Sequence, residues 1–164
     1  MTRKLEVSFN SPQCGWMSIG FDDGISEFHT TTAYAPHTFA LPELLHILSA
    51  LLDPTSSQRE YLLKWNRDPE EFDFRFLREG SNLLLEIYQY PTDERDKAVR
   101  ELVFSHKGSI QDVCDSFHET FTQLYADRET DEFEFNWRQP FPYAEFEELT
   151  KRVKLATNFT HITN

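Results

Sequence analysis

The stretch from Glu71 to Tyr90, EFDFRFLREGSNLLLEIYQY, limits the fold more than any other part of the chain. Phe72, Phe74 and Phe76 alternate with Asp73 and Arg75, the period-2 pattern of a strand with one apolar face. Gly80-Ser81-Asn82 then turns the chain into a second strand, Leu83 to Tyr90. Shortly afterwards Ile110, Val113, Cys114, Phe117, Phe121, Leu124 and Tyr125 recur at helical spacing, with Gln111, Asp115, Glu119 and Gln123 on the other side. A helix with such a stripe needs an apolar surface to lie on, and the three phenylalanines supply one. Ser109, with Asp112 three residues on, is placed to cap it.

The same reasoning extends in both directions. Leu5, Val7 and Phe9 alternate as a first strand, closed by Asn10-Ser11-Pro12. Trp16–Phe21 and Ile25–Tyr34 form a hairpin across Asp22-Asp23-Gly24, where an Asp-Gly pair accepts positive φ. Pro42 suits the first turn of a helix carrying Leu41, Leu44, Leu45, Leu48, Leu51 and Leu52, which Asp53-Pro54 ends. Tyr61, Leu63 and Trp65 start a meander that continues through the Phe72 strand, Leu83–Tyr90 and a short Leu102-Val103-Phe104, with Lys107-Gly108 as a turn. Phe133, Phe135 and Trp137 alternate as a further strand. Pro140 and Pro142 open a last helix with Phe146, Leu149 and Val153 inward.

Runs of strands with interposed helices, and no glycine-rich strand-to-helix turn, predict an α+β single domain over residues 1–155. The expected form is one largely antiparallel sheet with about three helices on one face and a flexible tail from 156 to 164. A chain of 164 residues can bury roughly 70% of the surface its unfolded form exposes. It therefore needs no staples, and Cys14 and Cys114 are expected to be reduced. The amino terminus has no apolar run of signal length and no stretch could span a bilayer, so a cytoplasmic protein with no membrane partner is expected. The match to a glycosylation sequon at 158–160 is then chance.

Charge narrows the function. With 28 acidic against 16 basic residues the net charge is -12, which opposes binding to a phosphate backbone and argues against nucleic acid. No GxSxG, P-loop, GxGxxG or paired CxxC occurs, and no catalytic, cofactor or metal residue is assigned. His118-Glu119 begins like a zinc-protease helix, but Thr122 stands at the second ligand position. Cys114 lies on the apolar stripe, where a small buried thiol is the ordinary outcome. Asp22, Asp23 and Glu27 near His29 could hold an ion or move a proton, although turn geometry explains the aspartates without function.

The segment Asp127 to Glu134, DRETDEFE, carries Asp127, Glu129, Asp131, Glu132 and Glu134 beside Phe133, Phe135 and Trp137. Carboxylates would steer a basic protein and aromatics would anchor it. On a half-solvated strand, however, alternation puts the three aromatics inward and the acids outward.

Trp65, Asp68-Pro69, the Phe72–Tyr90 hairpin, the helix at 110–125, and Trp137-x-x-Pro140-Phe141-Pro142 followed by Phe146 and Leu149 resemble a broad group of small acidic bacterial α+β proteins. Some of these are immunity proteins that neutralise a polymorphic toxin. The resemblance covers about residues 60 to 154 and implies binding rather than catalysis, with no functional residue carried over. The favoured reading is thus a non-catalytic, immunity-like domain that binds a basic partner through the acidic residues at 127–134. A small-ligand site or enzyme near His29 and Asp22/Asp23, and a homodimer through the leucine helix or a sheet edge, are the alternatives.

Overall fold

The computed structural model describes residues 4–163, with side chains described to Asn158. It is an α+β domain in the order β1 (Glu6–Phe9), β2 (Trp16–Asp22), β3 (Glu27–Ala33), α1 (Ala40–Leu52), β4 (Glu60–Asn66), β5 (Glu71–Glu79), β6 (Asn82–Tyr90), β7 (Glu101–Ser109), α2 (Ile110–Asp127), α3 (Phe133–Trp137) and α4 (Tyr143–Thr163). α4 continues past Leu155, where the sequence reading ended the domain.

The strands form two antiparallel sheets rather than one, ordered β1-β2-β3 and β4-β5-β6-β7. No ladder joins β3 to β4. At that seam the Trp65 indole N–H donates to the Ala33 carbonyl at 3.1 Å, so a side chain takes the place of a backbone pair. Aromatic packing then makes one core of the two sheets. Phe21 of β2 touches Phe74 at 5.9 Å and Phe104 at 5.5 Å between ring centroids, and Phe9 touches Trp65 at 6.0 Å.

α2 closes this core. Phe117 meets Phe9, Phe21 and Phe76, and Val113, Cys114, Phe121 and Leu124 are buried beside it. Ser109 caps the helix as the sequence indicates, its hydroxyl accepting from the Asp112 amide at 3.0 Å. The leucine face of α1 is buried against β4, α2 and α4.

Two local readings are corrected. Lys107-Gly108 is not a turn: β7 runs to Ser109, with Gly108 opposite Leu83. The absence of a side chain at Gly108 leaves room for the His106 ring, which a Cβ there would approach to 2.9 Å. Residues 133–137 are not a strand but the short helix α3. Phe133 and Trp137 stand at i and i+4, a spacing that shares a face in a helix as readily as in a strand. Arg138 ends α3 in the left-handed region, φ 68, its amide returning to the Glu134 carbonyl, and Pro140 follows.

Candidate functional site

Helical geometry at α3 decides what its aromatics do. In a strand, positions 133, 135 and 137 share one face, whereas in a helix 135 lies about 200° around the axis from 133. Phe133 is 1% exposed and Trp137 2%, while Phe135 is 80% exposed. Phe133 packs on Phe141 at 5.2 Å and Trp137 on Trp65 at 6.4 Å. The inward arrangement of all three aromatics is therefore overturned for Phe135, because the chain turns at 3.6 residues rather than two.

The carboxylates around Phe135 divide by what they touch. Asp127 is half-buried and accepts from Gln123 at 2.8 Å, Asp131 accepts from the Ser11 hydroxyl at 2.6 Å, and Glu134 accepts from the Phe141 amide at 3.2 Å. These three serve the fold as well as the surface. Glu129 and Glu132 are exposed, and Glu129 comes no nearer than 3.9 Å to the Arg128 guanidinium. The Arg128 guanidinium carbon lies 3.9 Å from the Tyr125 ring centroid, and one of its N–H groups donates to the Tyr125 carbonyl.

Residues of this region line a shallow pocket of about 360 Å³ with Tyr143, itself part of an apolar groove of about 420 Å³ with Phe39 and Pro140. On the other side, Asp131 and Asn136 share a concavity with Cys14. Cys14 in turn borders a groove of about 630 Å³, lined by Trp16, Tyr34, Asn66, Asp68, Asp93 and Arg138 among others. A further recess shares Pro36 with the 630 Å³ groove and Phe39 with the apolar one, so the recesses form a connected series. Phe39, Phe135, Tyr143 and Trp16 are exposed along it.

No family model, curated protein or solved structure matches the chain.

The second cluster in the sequence reading is taken apart by the fold. His29 is exposed and pairs with Glu27, the Asp22 carboxylate accepts from the Gly24 amide at 2.8 Å, and Asp23 turns inward to His106. Among the described residues no three His, Cys, Asp or Glu side chains are grouped as a metal site, and no helix is long and apolar enough to cross a membrane. Cys114 is fully buried, and desolvation pushes its thiol far up. His118 stacks on Phe146 and hydrogen-bonds Thr150, and burial pushes its pKa down.

Sequence reasoning missed one polar cluster. Glu71 and Asp73 are 2% and 4% exposed on the face of β5 opposite its phenylalanines. Arg95 donates to both, at 2.6 Å to Glu71. His37 Nε2 lies 2.7 Å from Glu71, the Asn66 amide also donates to Glu71, and the Tyr90 hydroxyl donates to Asp73 at 2.6 Å. Burial alone would raise the Glu71 pKa, but the hydrogen bonds from Asn66, His37 and Arg95 outweigh it and hold it below the usual range. The cluster pins the loops carrying His37 and Arg95 against the sheet, and so fixes one wall of the recesses described above. The one sequence signal for it was the pair of acids alternating with phenylalanines, which on their own fit a solvated turn.

Proposed function

We propose that the chain is a non-catalytic protein-binding domain of immunity-like type, acting in the cytoplasm, which docks a basic protein on the face centred on α3. The observation that carries the reading is Phe135, 80% exposed on a helix whose other two aromatics are locked in the core. A large apolar ring held outward by a rigid element is the kind of anchor that dominates interface energies. It stands among Glu129, Asp131, Glu132 and Glu134, on a chain of net charge -12. Such a field accelerates encounter with a cationic surface, and the aromatic anchor retains it.

The resemblance to immunity-type proteins supports the same direction by analogy. The test is capture of a partner from the native host, followed by association rates at two salt concentrations. The association rate is expected to fall as salt rises. Phe135→Ala is expected to speed dissociation by about 30-fold or more, since a hot-spot truncation costs about 2 kcal/mol or more. A rate indifferent to salt and to Phe135 would contradict the proposal.

A further inference from the structure

We infer that the groove of about 630 Å³ beside α3 is a subsite for an arginine side chain of the partner, an inference that rests on the reading above and deepens it. Its volume lies within the range of about 300–1,000 Å³ usual for small-ligand sites. Trp16 and Tyr34 provide aromatic surface, and three oxygen-bearing side chains, Asn66, Asp68 and Asp93, join them in the lining. Asn66 is 6% exposed, one N–H of its amide donates to Glu71, and its carbonyl oxygen accepts no hydrogen bond among the described residues, so that oxygen is open to a donor from a ligand. The carboxylates of Asp68 and Asp93 are exposed and have no hydrogen-bond or ion-pair partner among the described residues.

Arg138 shows how the groove treats a guanidinium. Its Cζ lies 5.5 Å from the Tyr34 ring centroid, and it forms no ion pair among the described residues. A guanidinium over an aromatic face is an attractive arrangement. Arg138 brings one positive charge to a lining that also holds two unpaired carboxylates, so the lining retains a negative charge for a second cation. Arginine fits better than lysine, because a planar fork can stack on Trp16 or Tyr34 while donating to several oxygens together.

Backbone geometry places these groups. Asp68 has φ 62 and Arg138 φ 68, both in the left-handed region that side-chain-bearing residues seldom adopt. The buried Glu71 holds Asn66 in place from behind.

The experiment titrates the intact protein with acetylated, amidated tripeptides Ala-X-Ala, where X is arginine, lysine, citrulline or glutamate. Emission from exposed Trp16 is the readout, since Trp65 and Trp137 are buried. The arginine peptide is expected to give a saturable change that weakens with salt, with citrulline about tenfold weaker from loss of one charge-assisted contact. Asp68→Asn and Asp93→Asn, both at exposed positions, are each expected to weaken it about tenfold. Arg138→Ala leaves it equal or tighter. No saturable response, equal binding of citrulline, or preference for the glutamate peptide would overturn the inference. The probes do not involve the partner, so the groove can fail while docking through Phe135 stands, or the reverse.

Discussion

His106 Nδ1 lies 2.9 Å from Asp23 Oδ2, joining the tip of the β2–β3 hairpin to β7 across 83 residues of chain. Both side chains are buried, and Asp23 Oδ1 also accepts from the amides of Ile25 and Ser26. Burial by itself would raise the Asp23 pKa. The Ser26 and Ile25 amides and the His106 ring outweigh it and hold the carboxyl at about 2.

The depressed value fixes the sign of an acid effect. A carboxyl with a folded pKa near 2 and an unfolded value of 3.8 stabilises the fold above the unfolded value and loses that contribution as pH falls toward 2. After allowance for solvent screening the loss is about 1–2 kcal/mol. Urea midpoints measured from pH 6 to pH 2 should fall through this window, and Asp23→Asn should start lower at pH 6 and lose less on acidification.

Asp115 is predicted to behave oppositely. One of its oxygens is buried without a hydrogen-bond partner, and burial together with the charge of Asp112 raises its pKa. Ionised, it weakens the fold near neutrality. Asp115→Asn should therefore raise stability at pH 7 by about 0.5 kcal/mol, with the gain vanishing in acid, where the wild-type carboxyl is neutral. Denaturation at pH 7 and pH 3 separates this from a packing effect, which would persist at both.

Gly108 and Gly20 form a matched pair. A Cβ at Gly108 meets the ring of buried His106 at 2.9 Å, while one at Gly20 meets the ring of exposed His29 at 2.5 Å. His29 can swing into solvent and His106 is held by Asp23. Gly108→Ala should thus cost about 1–3 kcal/mol, the usual range for overpacking, and Gly20→Ala less despite its closer contact. Thermal melts of the two variants check the order.

Removing Arg95 should be severe. Arg95→Met strands Glu71 and Asp73 in the buried cluster with their strongest counter-charge gone, at about 3 kcal/mol or more at pH 7. The triple variant Glu71→Gln, Asp73→Asn, Arg95→Met should recover part of that loss, since no unpaired charge remains. Equal stability of the single and triple variants would contradict this account of the cluster.

The hairpin, the meander and the helix at 110–125 were legible because their burial is one-sided and leaves a period in the sequence. What escaped detection had its cause far along the chain. Nothing in Thr30-Thr31-Thr32 or Tyr61–Trp65 says that β3 and β4 will not pair, and the seam depends on an indole N–H reaching Ala33. Glu71 and Asp73 look solvated until Arg95, more than 20 residues later, folds over them. At Phe133, Phe135 and Trp137 the sequence permits two periods, and the choice between them determines which way Phe135 points. The acidic segment was found from its composition, but its exposed anchor was visible only once α3 was known to be helical.

The central claim is that Phe135 faces a partner. Benzoylphenylalanine at position 135, photo-activated in cells of the native host, tests it against the same probe at Leu62, an exposed residue of β4. The expected result is a discrete adduct at 135, absent at 62, whose yield in lysate falls as salt is raised and falls further with Glu129→Lys and Glu132→Lys. No adduct at 135, or equal adducts at both positions, would contradict the claim.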